Sequence, residues 1–208
     1  LIIVPDGIYW YIPFEALQVG TGRQAMPLIY KTRVRYAPTM ALTIPDTRGR
    51  KKSGDVAVVQ GRLYPREMPE LGEEGFQAIR RIVPRAHAIK TRPLGPTSAL
   101  ATLLDGLVVL DDLEAVDKTP FDLAPFQVDR GKPGSTIGDW MLLPWGSPEV
   151  VVLPGFHTPA EESLKRSNTS RQPGDELFMT TMGLLASGTR TVLISRWRTG
   201  GRTANNLI

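Results

Sequence analysis

Short, unbroken apolar runs alternate along the chain with stretches whose apolar positions recur at helical spacing. Residues 1–4 (Leu-Ile-Ile-Val) predict a strand, closed by the turn chemistry of Pro5-Asp6-Gly7. Residues 8–12 (Ile-Tyr-Trp-Tyr-Ile) are β-branched and aromatic and predict a second arm that pairs back as a hairpin. Pro13 lacks an amide donor, which places that hairpin at a sheet edge. A short strand is expected over 33–37. Val56-Ala57-Val58-Val59, within 55–60, has the continuous apolar character of a strand buried on both faces.

The period then changes. Leu71, Ala78, Ile79, Ile82 and Val83 fall near helical spacing, so 71–83 reads as a helix that Pro84 stops. Residues 86–90 predict a strand, 98–104 a helix capped by the Thr97-Ser98 hydroxyls, and 107–110 (Leu-Val-Val-Leu) a central strand. The stretch 114–148, rich in Pro and Gly, reads as loops around an internal Trp140-Met141-Leu142-Leu143. Beyond it, 150–153 is a buried strand, 171–174 a loop, 175–186 a helix ended by Gly188, and 191–195 the last clear strand. Residues 202–208 predict the start of another helix. Such alternation implies an α/β fold: a mostly parallel sheet with helices on both faces and the N-terminal hairpin at its edge. In sheets of this kind, ligands and catalytic groups gather beyond the carboxyl ends of the strands.

Composition narrows the chemistry. The 208 residues suit one large domain, 41% apolar and 22% charged. A net charge of +4 comes from Arg-rich patches such as 47–52 and 196–202, and scattered Arg of this kind is usually solvated surface. Nucleic acid is therefore not the expected partner. No run approaches the roughly 18–20 apolar residues of a membrane span, so no membrane role is expected. The start lacks a charged n-region and a cleavage site, so it is not a signal peptide, and its abrupt strand suggests a fragment of a longer chain. With no cysteine there is no disulfide, thiolate metal site or thiol nucleophile. His87 and His157 are the two imidazoles, too few for a ready zinc site; no metal or cofactor is expected. Gly131-Lys132 lacks the upstream glycines of a phosphate loop. Asn168-Thr169-Ser170 matches a glycosylation acceptor by chance. His87, flanked by apolar residues, reads as a satisfied, half-buried histidine.

Four segments, in order, resemble the CHAT family, bacterial relatives of caspases and separase found behind tetratricopeptide repeats. Leu1-Ile2-Ile3-Val4-Pro5-Asp6-Gly7 with Tyr11-Ile12-Pro13-Phe14-Glu15-Ala16-Leu17 is similar to the family's opening strand, turn and "PF-x-AL" element. Tyr36-Ala37-Pro38-Thr39 resembles its "YAPS" strand end. Met68-Pro69-Glu70-Leu71-Gly72-Glu73-Glu74 resembles the acidic helix start after the next strand. The strongest likeness is the segment 183–197, from Gly183-Leu184-Leu185 through Thr191-Val192-Leu193-Ile194-Ser195-Arg196-Trp197, to the family's closing strand.

The resemblance implies a caspase-like fold and a site at the strand ends. Active members carry a His beyond one central strand and a Cys beyond the next, because a thiolate attacks while an imidazole moves the proton. Here those positions read Asp111-Asp112 and Phe156. The implied role is a non-catalytic interaction or scaffold module in the bacterial cytoplasm. It would hold protein or peptide segments, including repeats of the same longer chain, with Arg196, Trp197 and Arg198 lining the surface. The alternative is a hydrolase with a non-cysteine site, in which Asp111 or Asp112 orients His157 and Thr158 supplies a hydroxyl. Neighbouring strand residues point apart, which sets His157 and Thr158 poorly for that task. The blander expectation is that His157 is a polar loop residue and Asp111-Asp112 a solvated strand end.

Overall fold

The computed structural model describes residues 1–44, 53–61, 63, 70–89, 97–114, 120–122, 131, 134–143, 148–157 and 174–197. Near the N-terminus, β1 (Ile2–Ile3) pairs in parallel with β4 (Arg35–Tyr36), and β2 (Gln18–Val19) pairs antiparallel with β3 (Met26–Pro27). The hairpin expected from residues 1–12 does not form. Its second arm, Gly7–Tyr11, is a 3-10 helix in which the neighbouring Trp10 and Tyr11 are both buried. A strand would send those two rings to opposite faces. The tight turn instead lets Trp10 approach the rings of Tyr36 and Phe178, while the Tyr11 hydroxyl donates to Glu176 at 3.1 Å.

The apolar runs build the main sheet: β5 (Val56–Gln60), β6 (Ala86–Ile89), β7 (Gly106–Leu110), β9 (Val150–Leu153) and β11 (Thr191–Ile194). All pairs are parallel, in the order β11-β9-β7-β5-β6. Between them, β8 (Leu113–Glu114) and β10 (Phe156–His157) form a short parallel pair of their own. The helices are α1 (Glu70–Ile82), α2 (Thr97–Ala101), α3 (Ile137–Met141) and α4 (Asp175–Ala186). The strand order 2-1-3-4-5 is a doubly wound one whose direction of winding reverses between β5 and β7.

Period-two alternation divides the sheet between two cores. Val58, Val108 and Leu110 pack under Phe76 and Ile79 of α1. On the other face Ala57, Leu107, Val109, Val151 and Leu153 pack with Trp140 of α3 and with Leu177 and Leu184 of α4. Each such large side chain is worth about 1.5–3 kcal/mol of burial. The molecule is thus α/β with helices on both faces of a parallel sheet, an arrangement consistent with a caspase-like fold. Among the described residues, no helix is long and apolar enough to cross a membrane.

Two elements differ from the sequence expectation inside 114–148 and 98–104. Residues 137–141 are helical, opened by Thr136, whose hydroxyl accepts from Asp139 N at 3.1 Å while the Asp139 carboxylate accepts from Thr136 N. Helix α2 ends at Ala101, sooner than the expected 104. The expected helix over 202–208 lies outside the described residues, as do Arg198, Thr158 and the 168–170 acceptor.

Candidate functional site at the tips of the central strands

The two positions singled out by the sequence lie side by side. β7 and β9 are neighbours, Val108 opposite Val152, and their continuations β8 and β10 pair Leu113 with Phe156. Five residue steps carry the first strand from Val108 to Leu113, but four carry the second from Val152 to Phe156. The extra residue is a bulge at Asp111-Asp112. Bulges re-aim side chains where they occur, and this one sits at the strand tips.

Two glycines make room for it. A Cβ on Gly155 would lie 2.0 Å from the Asp111 carbonyl oxygen, and one on Gly61, just past β5, would lie 2.4 Å from the Asp111 side chain. The bulge is held by Leu113 N donating to Gly155 O at 3.0 Å and Asp112 N donating to Asp111 Oδ1 at 3.0 Å. Phe156 is fully buried in the main core beside Leu113. It fills the tip with an unreactive ring.

Asp112 is turned inward and meets His157. Nδ1 of the imidazole stands 3.3 Å from Asp112 Oδ1 and 3.2 Å from Gly155 O, with side-chain exposures of 7% and 3% for His157 and Asp112. The Gly155 contact meets hydrogen-bond geometry, with Nδ1 donating in the tautomer that carries its proton there, and the carboxylate flanks it. The expectation of a polar loop histidine and a solvated aspartate pair is corrected here. The strands continue past the bulge, and their continuation buries both groups. Adjacent parity also separates Phe156, facing the core, from the ring of His157.

The second cluster lies just past β11. Arg196 donates through Nε to Trp10 O at 2.9 Å and through a terminal nitrogen to Glu15 Oε1 at 2.5 Å, and its guanidinium lies 4.4 Å over the Tyr36 ring. The Tyr36 hydroxyl donates to the other oxygen of Glu15. Burial works to raise the Glu15 pKa, but hydrogen bonds from Tyr36 and Arg196 outweigh it and hold the carboxyl below its usual 4.5. For Tyr36, burial and then the bond to Glu15 push the phenol above its usual 10.0. Arg196 is therefore spent on clasping the N-terminal segment to the sheet. Trp197 is 45% exposed and stands outside the core.

His87 is far from both clusters. Its side chain is 59% exposed, more open than the half-buried place expected, because β6 is an edge strand. It bonds Asp55 at 2.9 Å, beside a two-point Arg85–Asp55 pair. The His87 bond, followed by one from Ser53, lowers the Asp55 pKa below its usual 3.8. Among the described residues no group of His, Asp and Glu is placed to hold a metal ion.

Two of the concavities among the described residues lie away from the tips. One of about 290 Å³ sits at the amino ends of β5, β7 and β9, between Val56, Val83, Val108 and Val150. The other, of about 380 Å³, opens between the N-terminal strand pair and the start of β11.

No family model, curated protein or solved structure matches the chain. Its chemistry rests on the geometry just described. What sequence reasoning missed was the bulge: Gly61, directly after β5, and Gly155, between β9 and β10, were its visible trace.

Proposed function

We propose that the chain is a non-catalytic, caspase-like interaction domain of the CHAT type, which holds protein or peptide segments without cutting them. The observation that carries this reading is the pair of strand tips. A sulfur nucleophile has no counterpart at Phe156, which is sealed in the core, and the partner position is an inward-facing carboxylate. A buried ring cannot attack a carbonyl. The fold's binding capacity does not depend on that chemistry, since concave surfaces remain elsewhere.

Trp197, exposed beside the Arg196 clasp, is the best-placed anchor among the residues expected to bind. The test is capture of partner segments by the whole chain, compared with a Trp197→Ala, Arg198→Ala variant. Recovery is expected to fall in the variant while its melting curve stays unchanged. Undiminished recovery of every partner would contradict a role for this surface.

The approach of His157 to Asp112 favours one second reading, a hydrolase whose imidazole is oriented by a carboxylate. It requires a hydroxyl nucleophile on the Nε2 side and predicts hydrolysis that His157→Ala abolishes.

A further inference from the structure

The 380 Å³ groove is walled by Ile2, Ala37, Leu42, Leu185 and Val192. Thr43, Thr181 and Thr189 add hydroxyls to the lining, together with two cations, Arg35 and Arg190, and, among the described residues, no carboxylate. Arg190 is committed to Glu149 at 3.3 Å. Arg35 is exposed, and its backbone amide donates to Leu1 O within the β1–β4 pair. Among the described residues its guanidinium has no carboxylate partner. Arg33, two residues earlier along the extended segment and on the same side, is likewise exposed and without one. Apolar Ile2 stands opposite Arg35 in the ladder, and Leu42 and Ile44 on the far wall are exposed. A hollow apolar floor thus adjoins a positive rim at Arg35 and Arg33.

We propose that this groove binds an acidic peptide segment. An apolar anchor side chain fills the space between Leu42, Leu185 and Val192, while flanking carboxylates meet Arg35 and Arg33. The proposal rests on the interaction-domain reading and supplies its partner class. Charge decides the sign: covering Arg35 strips it of water, a cost that an anionic neighbour offsets through charge-assisted hydrogen bonds. The lining decides between a peptide and an acyl carboxylate. Thr43 already donates to Met40 O at 2.7 Å, and an acyl chain would leave the Thr181 hydroxyl facing hydrocarbon, whereas a peptide amide can bond it. The volume is at the low end of ligand sites, about 300–1,000 Å³, which suits an anchor side chain or two and not a folded body.

Fluorescence anisotropy on the full chain tests this with a labelled peptide carrying one Leu between Asp and Glu residues. The controls are the same peptide with Lys for each acid, and decanoate as competitor. The acidic peptide is expected to bind and to weaken with salt, the Lys peptide to fail, and decanoate not to displace it. Arg35→Glu and Leu42→Asp, both at exposed positions, are each expected to weaken binding about tenfold or more with unchanged circular dichroism. Equal binding of both peptides, displacement by decanoate, or indifference to Arg35→Glu and Leu42→Asp would overturn the assignment. Failure of the acidic peptide to bind, while partner segments are still captured by the parent and lost in Trp197→Ala, Arg198→Ala, would overturn the groove and leave the interaction role standing. Cleavage of the bound peptide would do the reverse.

Discussion

Single residues decide the state of the strand tips, and Gly155 is the most constrained of them. Its missing Cβ lets the Asp111 carbonyl approach, so Gly155→Ala forces the bulge open. A loss of about 2–3 kcal/mol is expected from the shift in urea midpoint. A stability within about 0.5 kcal/mol of the parent would mean that the bulge relaxes freely. Arg196 and Trp197 are neighbours with opposite roles. Arg196→Ala removes a bond to Trp10 O and the pair with Glu15, and about 2 kcal/mol is expected to go with them. Trp197→Ala is expected to cost under about 0.5 kcal/mol, since the ring is largely in solvent. Equal costs in thermal unfolding would contradict the clasp. The clasp was invisible in the sequence because it joins residues 181 positions apart. Arg196-Trp197-Arg198 alone reads as a surface patch.

Among the elements, the N-terminal segment depends on that clasp and therefore on pH. Glu15 is held below its usual 4.5, so its ionised form is favoured in the folded state. Its contribution is complete above the unfolded value and fades as pH falls through the lower folded one. Acid is therefore expected to loosen the segment first. Trp10, buried against Tyr36 and Phe178, should change its fluorescence below about pH 4.5, and Glu15→Gln should remove that acid step. An unchanged acid profile in the variant would place the titration elsewhere. The strands of the main sheet were legible because both faces are covered and their apolar runs are unbroken, as in 56–59 and 107–110. The 8–12 run was not: its β-type composition serves two adjacent buried aromatics, which a 3-10 turn accommodates and a strand does not. Helix α3 carried a capping signature, Thr136 to Asp139, that the surrounding Pro and Gly obscured.

At the scale of the molecule, strand order places Asp111-Asp112 and Phe156 on adjacent tips, a neighbourhood that the resemblance alone had implied. What it could not show is that the strands run on past the bulge and bury Asp112, Phe156 and His157 together. Burial of that kind depends on a one-residue slip between two ladders, which no local pattern encodes. The proposed binding surfaces, the Arg35 groove and the Trp197 patch, lie apart from these buried tips. The most direct measurement incubates the whole chain with a mixed peptide library and reads both bound and free peptides by mass spectrometry. Intact peptides throughout, unchanged by His157→Ala, are the expected result; new termini that disappear in His157→Ala would contradict it.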